Sequence, residues 1–546
     1  MAPCPISATS RTCNLSAGND LPAGHVSGQE AETKFRHARS LFAAGKLEAA
    51  RTVNDAILAE CPTHSGALIQ RSRMESADDN YRLARDYAKS AYQAGISEKW
   101  QCIALLRRLR TFNFIPELRD VILKLQPDFA ADAEIAKLVA RLLGSINDPE
   151  SALEFLEKAV VSNPHSADLQ AAMGLALLNC GRLDEAETRL RQCLRLEPGH
   201  APAWWQLSRL PRQGPDSHFV DELRREIERA VEPRSTALLA YALHRELDGL
   251  GDYPEAASAL EQAGSSMRKT VSYSVEEDER IFSALKSLPA GNAGVLRDMP
   301  FTPVFIVGMH RSGTTLLEDL LARHHDICRG GELYDFTSQL RLAADHHCAT
   351  ELDLEIIDAA GSFDYGSIGQ GYLDSVDWRR SGQRFVTDKL PSNFLNIGFI
   401  LRALPNARIL HMSRDHMETC FSNLREPFSE NTCRYSYDQT ELAKYYRQYF
   451  SLMQHWRRQF PGRIHDVTYT ALVTDPAAEM KRVASYLGID FQASMLEAGS
   501  GARGANTASA VQVRQKPSLP LRPKWYPYRE YLTPLEWRLS DVGQRY

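Results

Sequence analysis

What the 546-residue chain lacks narrows its class before any motif is considered. It contains no run of about 18 apolar residues with which a helix could cross a membrane. Its ten cysteines never form a CxxC pair, and no histidines flank them at zinc spacing, so neither a disulfide framework nor a structural zinc site is implied. Neither sign of charge dominates. The 64 Lys and Arg face 69 Asp and Glu, a formal charge of -5, which argues against a dedicated nucleic-acid surface. The N-terminus, MAPCPISATSRTCNLSAGND, lacks a basic start followed by an apolar core, which argues against a signal peptide and points to the cytoplasm. Rich in Ser, Ala, Gly, Pro and Asn, residues 1–28 are expected to form a flexible leader. The 43% hydrophobic and 24% charged residues are those of an ordinary globular protein, too long for one core.

The first half repeats. LFAAGKLEAARTVNDAILAECP and LLNCGRLDEAETRLRQCLRLEP both place Gly 17 positions before Pro (Gly45 and Pro62, Gly181 and Pro198) and Ala five positions after that Gly (Ala50, Ala186). The two glycines are 136 residues apart, four times 34, and steps of 34 from Gly45 land on Asp79, Asn113, Asn147 and Gly181. All five are residue types that tolerate a tight or left-handed turn. Small residues such as Ala38, Ala50, Ala152, Gly174 and Ala186 allow paired helices to approach closely. A further unit, LGDYPEAASALEQA, carries Gly251, Ala256 and Ala263 in the same pattern after a two-residue slip.

This pattern resembles the tetratricopeptide repeat. It predicts six or seven helical hairpins in a right-handed solenoid over residues 29–270. The resemblance implies a peptide or protein ligand on the concave groove. Trp204, Trp205 and Tyr241 sit at helical spacing and are expected in the core rather than the groove. Residues 271–300, which include LKSLPAGNAGVLRDMP, are expected to be a linker.

From residue 301 to 546 the pattern changes to an α/β domain with a parallel sheet. TPVFIVG (302–308) is a β-branched apolar run, and MHRSGTTLLEDLLARH is a loop entering an apolar-periodic helix. Strand, Gly-rich loop and helix together cradle phosphate, because loop N–H groups and the helix N-terminus converge on an anion. Against GxxxxGK[ST], Gly308 and Gly313 match and Thr315 takes the hydroxyl place, but Thr314 stands where Lys belongs. The positive charge is instead Arg311, inside the loop. RFVTDK (384–389), ARILHMSRD (407–415) and GRIHDVTYTAL (462–472) are predicted strands. Arg311, Lys389 and Arg414 then lie just past three strand ends, where ligands of open parallel sheets sit.

This constellation resembles the sulfotransferase family, which uses 3′-phosphoadenosine 5′-phosphosulfate as donor. VGMHRSGTTLLEDLL looks like the 5′-phosphosulfate loop, and HMSRDHMETCFSNL, with Arg414 and Ser422 eight residues apart, looks like the 3′-phosphate site. Within the family, the tyrosylprotein sulfotransferase branch is the most similar. Glu332 in CRGGELYDF and Lys389 in TDKLPSNF match its glutamate and lysine, and TASAVQVRQ (near Ser509 and Arg514), followed by Lys524 and Trp525, resembles its C-terminal cofactor-closing segment.

The resemblance implies a base, Glu332, for an acceptor hydroxyl, with Arg311 and Lys389 stabilising charge on the bridging oxygen. It implies that Ser312, Gly313, Thr314 and Thr315 hold the 5′-phosphate while Arg414 and Ser422 read the 3′-phosphate. No metal is required, and the acceptor is a hydroxyl compound, with peptide tyrosine the branch's example. His310, His324 and His325 are alternative bases. A P-loop kinase or NTPase, with Asp388 as its Mg-binding acid, and an inactive repeat scaffold are the competing functions.

Overall fold

The computed structural model describes residues 28–125, 127–211, 218–289, 291, 293–429, 432–497 and 522–542. All but the last residue of the expected leader lies outside them. Consecutive helices pack as hairpins: Gly28–Ala43 with Leu47–Glu60, Ser65–Ala77 with Tyr81–Ala94, Lys99–Thr111 with Ile115–Leu123, Ala133–Ser145 with Pro149–Ser162, and Ala167–Cys180 with Leu183–Leu196. Shorter helices, Ala201–Ser208 and Val220–Arg229, precede the last hairpin, Pro233–Leu250 with Tyr253–Arg268.

The turns within these hairpins follow the 34-residue steps. Gly45, Asp79, Asn113, Asn147 and Gly181 have φ of 74°, 61°, 55°, 63° and 81°. In this left-handed region a Cβ costs energy, which Gly avoids and Asn or Asp offset locally. Ala38, Ala50 and Ala186 are completely buried, and Trp204, Trp205 and Tyr241 are core residues.

Gly174 marks a close helix approach, since a Cβ there would lie 2.7 Å from Leu190 Cδ2. Gly174→Val is therefore expected to destabilise the array by about 1–3 kcal/mol through overpacking. A thermal midpoint equal to that of the parent protein would show that the hairpin can widen freely.

The stretch 271–300 is more than a linker. Helix Val275–Lys286 forms within it and packs against the long helix Gln439–Gln459, because Ile281, Phe282 and Leu285 give it a buried face. Beyond it, Gly294 N–H donates to Arg402 O at 2.8 Å.

The C-terminal half is built on five parallel strands: β1 Thr302–Val307, β2 Ile327–Cys328, β3 Phe385–Asp388, β4 Arg408–Ser413 and β5 Ile464–Thr468, in the order β2-β3-β1-β4-β5. Pro303 to Val307 are all buried, as in a strand covered on both faces. Helices connect the strands and bring the ends of β1, β3 and β4 side by side. The two-residue β2 is too short to carry a readable alternation in the sequence.

The solenoid lies along this half through its turn edge. Asp79 accepts from His347 N–H at 2.7 Å and pairs with His346 Nδ1 at 2.5 Å, while Arg82 N–H donates to Asp345 at 2.7 Å. Tyr81 OH lies 3.3 Å from Ser338 Oγ, and the Arg110 guanidinium stands over the Tyr334 ring. Asn147 presses on Gly331, where a Cβ would lie 2.4 Å from its side-chain nitrogen. Further along, Arg425 donates to His244 Nε2 at 2.8 Å and to Asp248 at 2.6 Å, and Arg268 forks onto Glu441 at 2.8 and 2.9 Å.

His346 bridges the halves with its second nitrogen 2.8 Å from Asp353. Burial pulls its pKa down, but hydrogen bonds to Asp79 and Asp353 and their charges raise it above the usual imidazole value. A group raised on folding stabilises fully below its unfolded pKa, about 6.5, and loses that contribution as pH climbs through the folded value. Melting the parent protein and His346→Gln between pH 6 and 9 should show the gap in thermal midpoint narrowing at high pH. Parallel curves would remove His346 from the interface energetics.

Candidate active site

The site begins where β1 ends. Residues 308–313 turn back on themselves, with Gly308, Arg311 and Gly313 at φ of 153°, 69° and 110°. Gly308 N–H donates to Pro391 O at 3.1 Å, and a Cβ at that position would stand 2.4 Å from Met412 O. A Cβ on Gly313 would lie 2.8 Å from the Tyr469 ring. The loop is thus wedged between the exits of β3 and β4, which excludes side chains at both glycines.

Ser312, Thr314 and Thr315 are buried at the start of helix Thr314–Leu321, and Ser312 Oγ has no hydrogen-bond partner among the described residues. An orphaned buried hydroxyl beside free helix N–H groups suits an anionic oxygen. The left-handed backbone of Arg311 turns its side chain toward helix His416–Leu424, where its Nε donates to Ser422 Oγ at 3.2 Å. Two motifs 111 residues apart therefore meet in one place.

Arg414 does not pair with its neighbour Asp415, which instead caps the helix by accepting from Glu418 N–H at 2.9 Å. Its Nη2 donates to Glu418 at 2.6 Å, and its guanidinium stacks 4.5 Å over Tyr469. The other Glu418 oxygen accepts from Lys524 N–H at 2.6 Å, placing the C-terminal segment beside Arg414. Burial, followed by the charges of Arg425 and Arg414, lowers the pKa of the Lys524 ammonium. Ser509 and Arg514 lie outside the described residues.

Glu332 and Lys389 form the second part of the site. Lys389, only 1% exposed, donates from Nζ to Glu332 Oε1 at 2.7 Å, and its N–H donates to Gly331 O at 2.8 Å. A buried ammonium needs such a partner, since an unpaired one would cost several kcal/mol. Glu332 is not a helix cap, because helix Asp335–Ala344 begins after Tyr334 without a side-chain cap. Among the described residues only its Oε1 is engaged, by Lys389.

Glu318, which sequence reasoning missed, fixes this loop. Fully buried, it accepts from Gly331 N–H at 2.9 Å and from Thr387 Oγ1 at 2.8 Å, with Arg329 3.5 Å from its other oxygen. An acid inside the apolar run LLEDLL is the signal that could have exposed it.

The alternative bases separate clearly. His324 uses both ring nitrogens, toward Asp490 O and Asp326 N–H, and His325 is exposed. His310 lies in the site, where burial pushes its pKa down to about 4 against the opposing pull of Glu332, so it stays neutral. Asp388 is fully buried, held by Tyr372 OH at 3.3 Å and Asn393 at 3.2 Å. Burial and the charge of Asp335 push it well above the carboxylate range. Such a carboxyl is poorly suited to hold magnesium. Among the described residues, His346, Asp353 and Glu355 form one compact group of metal-ligand types, but both ring nitrogens of His346 are occupied by Asp79 and Asp353.

Comparison with known proteins agrees with this architecture. Residues 303–493 match the sulfotransferase family model and residues 147–210 a tetratricopeptide repeat model. The chain thus carries a sulfotransferase domain in its C-terminal half and tetratricopeptide repeats in its N-terminal half. It is 26% identical over 416 residues to an uncharacterized protein of Aquifex aeolicus, covering 73% of this chain and 53% of that one. It is 22% identical over 241 residues to a protein-tyrosine sulfotransferase of Drosophila melanogaster, covering 44% of this chain and 46% of that one. The chain therefore spans about half the length of these relatives. The sulfotransferase domain of the Synechococcus olefin synthase aligns at 19% identity with a TM-score of 0.28, over 45% of this chain and 97% of that domain.

Proposed function

We propose that this protein transfers a sulfuryl group from 3′-phosphoadenosine 5′-phosphosulfate to an acceptor hydroxyl, using residues 301–546 for the chemistry and residues 29–270 to recruit the acceptor. The observation that carries the reading is the convergence of the phosphate loop, through Arg311, on Ser422 of the second motif, beside the Lys389–Glu332 pair. The donor supplies an activated sulfur, at which a new bond to the acceptor oxygen forms as the bond to the phosphate oxygen breaks, releasing adenosine 3′,5′-bisphosphate. Glu332 takes the acceptor proton. Lys389 and Arg311 offset charge on the departing oxygen, and the backbone around Gly313 with Ser312, Thr314 and Thr315 holds the 5′-phosphate. Arg414 and Ser422 bind the 3′-phosphate. Protein cations suffice for this charge, so no metal is assigned a role.

A peptide tyrosine is the acceptor we favour. The likeness to the Drosophila enzyme supports it, as does a solenoid cleft of about 910 Å³ lined by Phe35, Phe42 and Trp100, in which Arg39, Arg73, Lys99 and Arg107 outnumber Glu98 and Glu134, a balance that suits an acidic peptide. Among the described residues no helix is long and apolar enough to cross a membrane. The eight described cysteines are thiols, which suits the cytoplasm.

The test is transfer of labelled sulfate from the donor to a cell extract by the full-length protein, with products identified by mass spectrometry. Sulfated peptides are expected. ATP turnover that survives Arg414→Ala, without any adenosine 3′,5′-bisphosphate binding, would establish an NTPase instead.

A further inference from the structure

Resting on that reading, we propose that the solenoid forms part of the donor site, with Arg209 and Arg245 of the last repeats binding the anionic nucleotide alongside Arg311 and Ser422. A cleft of about 770 Å³, within the size range of small-ligand sites, lies where the two halves meet. One wall belongs to the phosphate-binding motifs and carries Arg311, Ser422 and Arg425. The facing wall belongs to the repeats, with Arg209 just after helix Ala201–Ser208 and Arg245 within helix Pro233–Leu250. Arg522 and Lys524 also line the cleft.

Among the described residues, six cations line this space with two carboxylates, Asp248 and Glu426. Asp248 is already engaged by Arg425 at 2.6 Å and by Tyr528 OH at 2.5 Å. Burial is the leading cause that lowers the pKa of Arg209, Arg245 and Arg311. Arg425, Arg209 and Arg311 lower Arg245 further, to about 10, against Glu426. Cations gathered at such cost are stabilised by a multiply charged anion between them.

The two repeat arginines are also oriented. Arg245 Nε donates to Ser208 O at 3.3 Å and its guanidinium lies near the Trp205 ring, while Arg209 Nη1 donates to Gln206 at 2.8 Å. The ligand is assigned as the nucleotide rather than an acidic acceptor because Arg311 and Ser422, from its two phosphate motifs, line the same cleft.

Arg209→Gln and Arg245→Gln in the full-length chain, titrated calorimetrically with adenosine 3′,5′-bisphosphate, test this. Each is expected to weaken binding about tenfold, as loss of one charge-assisted contact does, and to raise the donor KM with the acceptor KM unchanged. Arg245→Lys, which keeps the charge, should recover part of the loss. Folded variants with parent affinity would overturn the proposal, as would a rise confined to the acceptor KM. Should Arg245→Gln fail to fold, Arg209→Gln, at a helix end, decides alone. Failure of the parent protein itself to bind the nucleotide would instead refute the donor assignment, and this proposal with it.

Discussion

Replacing Glu332 by Gln should lower kcat by about 10²–10⁴-fold, the usual contribution of a positioned general base, while nucleotide affinity stays within about twofold of the parent. Gln is the informative substitution because its amide oxygen can still accept from Lys389 Nζ, so the buried ammonium keeps a partner. Ala would leave that charge uncompensated and confuse a chemical loss with an unfolding one. The measurements are single-turnover sulfate transfer and calorimetric binding of adenosine 3′,5′-bisphosphate. If turnover in Glu332→Gln stays within a few-fold of the parent, the base moves to His310. That imidazole shares the site and, with its pKa pushed down to about 4, is already in the proton-accepting form at neutral pH.

The second large effect concerns the donor. Arg414→Ala removes a guanidinium held by Glu418 at 2.6 Å and by stacking on Tyr469, a preorganised contact for a phosphate. A charge-assisted hydrogen bond is worth about 1.5–3 kcal/mol, so affinity for adenosine 3′,5′-bisphosphate should fall about ten- to a hundredfold. Affinity for adenosine 5′-monophosphate, which lacks the 3′-phosphate, should barely change, and the preference between the two should collapse. Equal losses for both ligands would assign Arg414 to some other part of the nucleotide. Glu418 still accepts from Lys524 N–H in the variant, so the C-terminal segment keeps its anchor.

Glu332 and Arg414 both lie in sequence motifs, and the structure explains why these are legible. A left-handed turn admits few residue types, so Gly45, Asp79, Asn113, Asn147 and Gly181 betray the helical array even around Asn113, where only the spacing of the repeat is kept. A phosphate loop leaves a similar mark, because Gly308 and Gly313 pass too close to Met412 and Tyr469 to carry a Cβ.

What stayed hidden has no local pattern. Glu318 looks like a solvated acid until Gly331 and Thr387 are seen donating to it. Arg209, at a helix end, and Arg245, within a helix, carry no motif until the fold brings them to one cleft with Arg311. The helix at Val275–Lys286 was obscured by the Pro- and Gly-rich residues that follow it, although Ile281, Phe282 and Leu285 already give it an apolar face.

Asp79, Asn147 and Asp248 each touch the C-terminal half at a different point: His346 and His347, then Gly331 next to Glu332, then Arg425 three residues past Ser422. These points are spaced by the dimensions of the C-terminal half, whereas the turns are spaced by whole repeats. The number of hairpins between Asp79 and Asp248 is therefore fixed. Adding or deleting one would carry Arg209 and Arg245 away from the cleft while Asp79 stayed in place. Among the described residues, the hairpin ahead of Asp79 makes none of these three contacts, so length variation in this architecture should accumulate at that end of the array, where it would leave all three in place.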